Sequence, residues 1–275
     1  MHPLITNAMK ISIVGCGNMG LAYARSFLKY NLVTKQDLLL VEKNEVRKEA
    51  LEKLNIGNVV SHVDGNISTY DIIILAVKPQ DFTGICEGLK NSLGSKNIIL
   101  SIMAGISIKQ LEEKLGRKTI IRAMPNSPAQ LGMGMTAFTS AKGMTIEQLK
   151  KAENLLGSTG RTVFFEDENL LDAVTALSGS GPAYFFYFVK YMIDAGIKMG
   201  IEPSVASLLV KQTMIGSFEL VNNATQNLDE LIAAVKSKGG TTEAALKEFQ
   251  QGGLGDTLVK GILAAEKRAK ELSVN

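Results

Sequence analysis

Short apolar runs alternate with amphipathic stretches over roughly the first 165 residues of the chain. Runs at 10–14, 38–41, 71–77, 97–103 and 118–124 predict strands. Ile72-Ile73-Ile74-Leu75-Ala76-Val77 and Ile98-Ile99-Leu100-Ser101-Ile102 are apolar on both faces, as strands buried within a parallel sheet are. Between the strands, apolar residues recur at helical spacing over 19–30, 45–54, 81–93 and 107–115. Strand–helix–strand repetition implies right-handed crossovers and helices on both sheet faces. Two further strands are predicted at 135–139 and 162–165, flanking a helix near 146–156. After about residue 166 the strand signals vanish, and helical patterns run from Leu170 to the end. The pattern defines an α/β chain: a doubly wound sheet over 1–165, then an all-helical domain over 166–275.

Within the helical part, 182–200 carries five of the sixteen aromatic residues in one run, Tyr184-Phe185-Phe186-Tyr187-Phe188. Five consecutive aromatics point around the whole circumference of a helix, which must then be covered on all sides. A helical half of this size offers little interior. Either this is the central helix of its own domain, or a second subunit covers the remaining face; the second reading is favoured slightly.

Composition narrows the chemistry. With 30 Lys+Arg against 27 Asp+Glu the net charge is +3, which makes no electrostatic case for nucleic acid or a membrane as partner. Neither cysteine belongs to a disulfide framework, and no apolar run approaches a membrane span, so a cytoplasmic protein is expected. The opening Met1-His2-Pro3-Leu4-Ile5-Thr6-Asn7-Ala8 lacks the pattern of a secretory leader. There are only two histidines, His2 in a tail and His62 in a polar stretch. Neither has a partner at metal-ligand spacing, so no metal is expected. His62 reads as solvent-exposed, and any catalysis must proceed without histidine.

The first strand, Ile11-Ser12-Ile13-Val14, runs directly into Gly15-Cys16-Gly17-Asn18-Met19-Gly20 and a helix. In that context G-x-G-x-x-G marks a Rossmann-type dinucleotide site. The first glycine makes the tight turn, the second admits a pyrophosphate, and the third lets helix and strand pack. Adenosine preference should be set about 20 residues later, where the chain reads Val41-Glu42-Lys43-Asn44 with Arg47 beyond. An acid placed as Glu42 would accept a ribose 2′-hydroxyl and favour NAD(H). Lys43 and Arg47 would favour NADP(H). The two signals conflict. At the ends of later strands, Ala76-Val77-Lys78-Pro79-Gln80, Met103-Ala104-Gly105 and Met124-Pro125-Asn126-Ser127-Pro128 together outline a nicotinamide cleft. Ala76, Val77, Lys78, Pro79, Ala104, Gly105 and Asn126 are the candidates there.

In the helical half, Leu177-Ser178-Gly179-Ser180-Gly181-Pro182 leads into the aromatic helix, with proline at an early helical position. Ser237-Lys238-Gly239-Gly240-Thr241-Thr242-Glu243 leads into another. Paired glycines before threonines at a helix start expose N–H groups at the positive end of the dipole, an anion site; a threonine N-cap is the compatible, plainer reading. Aligning the Gly-x-Gly of β-hydroxyacid dehydrogenases on Gly179-Ser180-Gly181 puts Phe185 and Val189 where those enzymes carry lysine and asparagine. Alcohol oxidation of that type is disfavoured.

Taken together, the glycine loop, Ala76–Gln80, Arg122-Ala123-Met124-Pro125-Asn126-Ser127-Pro128, Ala176-Leu177-Ser178-Gly179-Ser180-Gly181-Pro182-Ala183-Tyr184 and Gly239-Gly240-Thr241-Thr242 resemble the pyrroline-5-carboxylate reductase family over nearly the whole chain. The resemblance implies an NADP(H)-dependent, alternatively NAD(H)-dependent, reduction of a cyclic imino acid to L-proline by a homodimer or higher homo-oligomer joined through the C-terminal helices. It places the substrate carboxylate on Ser237 and the N–H groups of Gly240, Thr241 and Thr242, with the Thr242 hydroxyl facing the ring nitrogen. The chain departs from the family at Lys238, where proline is usual. Two other readings are a reductase of a different small imino or keto acid, and a dinucleotide-binding regulatory protein without catalysis.

Overall fold

The computed structural model describes residues 9–274; His2 and the opening segment, where no leader is expected, lie outside them. Eight strands form one sheet in the order β3-β2-β1-β4-β5-β6-β7-β8. The strands are β1 Ile11–Val14, β2 Leu38–Val41, β3 Asn58–Val60, β4 Ile72–Leu75, β5 Ile98–Ser101, β6 Ile120–Met124, β7 Gly134–Ser140 and β8 Gly160–Phe164. Helices α1 Asn18–Lys29, α2 Glu45–Leu54, α3 Pro79–Ser92, α4 Ile108–Leu115 and α5 Ile146–Gly157 connect them.

Alternate side chains of the central strands feed two separate cores. Ile11, Ile13, Ile72 and Ile74 pack with Phe27 of α1, Leu51 of α2 and Leu155 of α5. Ile73, Leu75 and Ile99 pack with Phe82 of α3 and Leu111 of α4 on the other face. Each of Ile72, Ile73, Ile74 and Leu75 is fully buried, contributing about 1.5–3 kcal/mol apiece. Local chemistry starts two of the helices: Ser107 with Gln110, and Thr145 with Gln148, form reciprocal capping boxes at α4 and α5.

Two features depart from the sequence pattern. β3 was not predicted, because three partly exposed residues at a sheet edge show no full period. β7 runs antiparallel to β6, unlike every other neighbouring pair. The link from Met124 to Gly134 holds only a 3-10 turn, Ser127–Leu131, too short for a parallel crossover.

The strands end at Phe164, next to the expected boundary at 165, but the first compact unit continues to Ser180 and takes in the chain from Ala265. It includes α6 Leu170–Val174 and a π-helical turn, Thr175–Gly179. The segment that leads into the aromatic helix is thus itself helical. Pro182 has no N–H to continue an α-helical ladder, and the wider turn is closed by the Ser180 N–H donating to Thr175 O at 2.9 Å.

The second unit, Gly181–Ala264, holds α7 Gly181–Lys198, α8 Pro203–Asn223, α9 Leu228–Val235 and α10 Thr241–Gln251. The last helix, α11 Leu254–Val274, is divided between the units. Within the second unit α7 packs on α8, with Gly196 against Ala206 and Phe185 edge-on to Phe218 at 5.3 Å. The central-helix reading of α7 is corrected here. Its only buried residues are Gly181 and Gly196, and Phe186 and Tyr187 are 68% and 61% exposed. One helical neighbour cannot cover a circumference that is aromatic all round.

Candidate active site

The sheet order reverses between β1 and β4, and ligands of doubly wound folds sit at such a switch point. Both loops that line it come from the predicted segments. Gly15 has φ +96°, and a Cβ there would stand 2.7 Å from the Val77 nitrogen and 2.8 Å from the Ala76 carbonyl carbon. At Gly20 a Cβ would collide with the Gly15 carbonyl oxygen, so α1 can lie against β1 only with glycine there. At Gly17 a Cβ would meet nothing within 4 Å. Gly17 is also the N-cap of α1, and no side chain caps that helix. The start of α1 is therefore open at Gly17 and the exposed Asn18, with no acidic residue in its first turn, while Met19 packs against the core and Gly20 is buried; the open end fits a pyrophosphate.

Glu42 is turned into the glycine loop. It is 5% exposed; its Oε2 accepts from the Cys16 N–H at 3.3 Å and its Oε1 from the Asn44 N–H at 2.9 Å. Burial, reinforced by the Glu42 charge, pushes the Cys16 thiol up to about 12. Lys43 is exposed and pairs with Asp81 at 2.9 Å, an ammonium contact that holds the Asp81 carboxyl below its ordinary value. Lys78, exposed, is the N-cap of α3, followed by Pro79 at the first helical position.

The other strand-end candidates are engaged by the protein. The Asn126 amide donates to Ser178 Oγ at 3.2 Å, and its Oδ1 accepts from the Met135 N–H at 2.9 Å. It thereby ties the end of β6 to the π turn and to β7. Beside Ala104, Gly105 is buried beneath Leu272 of α11, whose Cβ would lie 3.1 Å from a Cβ at 105. Sequence reasoning missed the buried cluster behind these loops. Arg122, 4% exposed, meets Glu168 at 2.9 Å and Asp172 at 3.1 Å. Glu168 also accepts from the Ile108 N–H at 2.8 Å, and Asp172 from the Ser273 hydroxyl at 2.9 Å. One guanidinium thus joins β6, the start of α4, α6 and the end of α11. An arginine inside an apolar strand was the available signal, since such a charge is buried only when paired.

In the second unit, the Gly240 N–H donates to the Ser237 carbonyl oxygen at 3.0 Å and closes a turn. Gly240, not a threonine, is the N-cap of α10, and no side chain caps the helix. Among the described residues no acceptor takes the N–H groups of Thr241 and Thr242. The Glu243 carboxylate reaches back to the Gly239 N–H at 2.7 Å. Thr242 is half-buried, whereas Ser237 and Lys238 are exposed. The start of α10 thus leaves N–H groups without an acceptor at its positive end, although the Gly240 N–H is already used. His62 is exposed. Among the described residues no group of three or more His, Cys, Asp or Glu could hold a metal ion, and no helix is long and apolar enough to cross a membrane.

A doubly wound sheet with an open glycine loop, followed by a helical unit with its own uncapped helix start, defines a dinucleotide-dependent oxidoreductase. Comparison with known proteins specifies which. Residues 10–105 match the family model described as NADP oxidoreductase, coenzyme F420-dependent, and residues 168–272 match that described as pyrroline-5-carboxylate reductase dimerisation. The pyrroline-5-carboxylate reductase of Aquifex aeolicus is 37% identical over 99% of this chain and 100% of its own length. The pyrroline carboxylate reductase of Plasmodium falciparum, solved with NADP bound, superposes with a TM-score of 0.87 at 30% identity, covering 96% of this chain and 98% of that one. The Streptococcus pyogenes 1-pyrroline-5-carboxylate reductase superposes with a TM-score of 0.86 at 32% identity, over 97% and 100%. The chain belongs to the pyrroline-5-carboxylate reductase family. The dimerisation match spans α7 and supports a homo-oligomer.

Proposed function

We propose that this chain reduces 1-pyrroline-5-carboxylate to L-proline with NADP(H). The observation that carries the reading is the presence, in one family member, of two helix starts without side-chain caps: α1 behind Gly17 and α10 behind Gly240. The first suits a pyrophosphate and the second a small carboxylate.

Bound NADPH supplies the hydride. The protein's own part is positioning. The Gly15 turn and the open Gly17 would cradle the pyrophosphate, and Ala76–Pro79 with Ala104 would hold the nicotinamide end; Gly105, covered by Leu272, is a packing residue instead. Ser237 and the N–H groups of Thr241 and Thr242 hold the substrate carboxylate, and the Thr242 hydroxyl faces the ring nitrogen. A protonated imine is already electrophilic, so hydride addition at carbon leaves a neutral amine and no alkoxide. Alignment and one polar contact at nitrogen therefore suffice, which agrees with a site that contains no histidine. A carbonyl reductase would need a proton donor in that place. The Lys238 ammonium, beside this loop, adds positive charge where the substrate is anionic. The substrate is a small molecule, with neither nucleic acid nor membrane required. Two buried free thiols suit a cytoplasmic setting.

Steady-state reduction of pyrroline-5-carboxylate by the parent and by Thr242→Ala tests this. The parent should turn over with NADPH, and the variant should lose about 10²-fold in kcat, as when an oriented hydrogen-bonding group is removed. A parent that binds NADPH but reduces no pyrroline-5-carboxylate would overturn the activity. An undiminished variant would overturn the role of Thr242.

A further inference from the structure

An arginine buried on β6 is tied to the last turn of the chain. Arg122 is 4% exposed, and its guanidinium meets Glu168 at 2.9 Å and Asp172 at 3.1 Å. Two carboxylates against one guanidinium leave one negative charge in excess, and a buried charge needs further hydrogen bonds to hold it. Two donors supply them: the Ile108 N–H on Glu168 at 2.8 Å and the Ser273 hydroxyl on Asp172 at 2.9 Å. The Ala269 carbonyl is also in reach of that hydroxyl, at 3.1 Å, but the ionised oxygen is nearer and is the stronger acceptor.

We propose that this chain of contacts makes the end of α11 a positioning element of the cofactor site. Arg122, through Asp172 and Ser273, holds the last turn of the helix against Gly105. It thereby fixes the loop between β5 and α4, in which Ala104 stands at the nicotinamide end. The inference rests on the dinucleotide reading of the preceding section.

The loop is gripped at both ends and in the middle. At its start the Ile102 N–H donates to the Leu75 carbonyl at 3.0 Å, which ties it to β4. At its end Glu168 accepts the N–H of Ile108, the first residue of α4. Between them the chain turns at Gly105 with φ +72°, and a Cβ there would stand 3.1 Å from the Leu272 Cβ and 3.4 Å from the Leu272 carbonyl oxygen. The backbone of α11 thus lies directly on the turn.

Little apolar burial keeps it there. Ala269, one helical turn before Ser273, is buried, but the Leu272 side chain is 48% exposed. A chain end stays ordered only when something ties it down, and the segment from Ala265 nevertheless belongs to the same compact unit as the sheet. The hydroxyl on the Asp172 carboxylate is the polar anchor in the final turn.

Arg122 is a poor place to test this, because its removal strands two carboxylates and endangers the fold. Ser273 is half-buried and outside both cores, so its variants spare the fold. Ser273→Glu sets a second carboxylate against Asp172 and should release the turn, whereas Ser273→Thr keeps the hydroxyl and should behave as the parent. In the cofactor-free protein, hydrogen exchange at the amides of 103–106 should quicken about tenfold in Ser273→Glu, while those of β4 stay protected. Calorimetric titration of the whole protein should show NADPH bound about fivefold more weakly by that variant. Binding of 2′-phospho-ADP-ribose, which lacks the nicotinamide, should stay within about twofold of the parent. A variant that loses both ligands alike has merely a loosened fold and would overturn the proposal. Unchanged exchange at 103–106, unchanged NADPH affinity, or a Ser273→Thr as impaired as Ser273→Glu would overturn it too. A parent without pyrroline-5-carboxylate turnover would leave both readouts standing, so failure of the activity and failure of this inference are distinguishable.

Discussion

Gly15 and Val77 meet across the switch point of the sheet: a Cβ at 15 would lie 2.7 Å from the Val77 nitrogen. The contact joins the loop after β1 to the loop after β4, the two segments proposed to flank the dinucleotide. Gly15→Ala should strain a backbone at φ +96° and push the β4 loop away, at a cost of about 3 kcal/mol or more. Gly17→Ala should leave stability within about 1 kcal/mol, since its methyl meets nothing in the protein and its φ of −67° is ordinary. That methyl would nevertheless occupy the space a pyrophosphate needs. Urea unfolding should therefore separate the two variants, while NADPH binding should be lost in both. A destabilised Gly17→Ala would count against this division of roles.

The Cys16 thiol supplies a prediction about pH. Folded, it keeps its proton up to about 12, whereas the unfolded chain releases it from its ordinary value of 9.0. Between these values the unfolded state binds fewer protons, so stability falls as pH rises, by about 1.4 kcal/mol per unit for this group. Below pH 9 the thiol is protonated in both states and adds no slope. Burial also raises Tyr23, Tyr70 and Cys86, and they contribute to the same fall. The difference between the parent and Cys16→Ala isolates the one group, and the variant should show a shallower alkaline loss in denaturant titrations from pH 8 to 11. Parallel curves would mean that the folded thiol ionises freely.

Phe186 lies near the middle of the uncovered face of α7 and is 68% exposed in a single chain. Light scattering on the parent at micromolar concentration should give a dimer or larger. Phe186→Glu retains helix propensity but would bury an unpaired charge in the interface, so the variant should shift toward monomer. A parent that is monomeric there, or a variant with unchanged mass, would contradict assembly through this helix.

How much was legible beforehand varies with the range of the interaction. The central strands were readable because burial on both faces requires unbroken apolar runs, as in Ile72–Leu75. The glycine loop was readable because its steric demands are local. β3 was not, since three edge residues carry no period. The direction of β7 was not, since it follows from the shortness of the Met124–Gly134 link. The pairing of Arg122 is invisible in its own segment, because Glu168 and Asp172 lie 46 and 50 residues away in the chain.

The amino-acid sequence by itself determined the class of fold, the tight glycine turn after β1, the glycine-rich start of α10, and the family. Each of these is written in residues close together along the chain, where backbone sterics and side-chain period act directly. Only the tertiary structure decided that Glu42 is turned into the glycine loop, that Asn126 braces the π turn, that the Gly240 N–H is already used, and that one face of α7 stays exposed in the single chain. Those outcomes depend on which donors and which surfaces a fold brings within a few ångströms of one another, and no local pattern of residues encodes that distance.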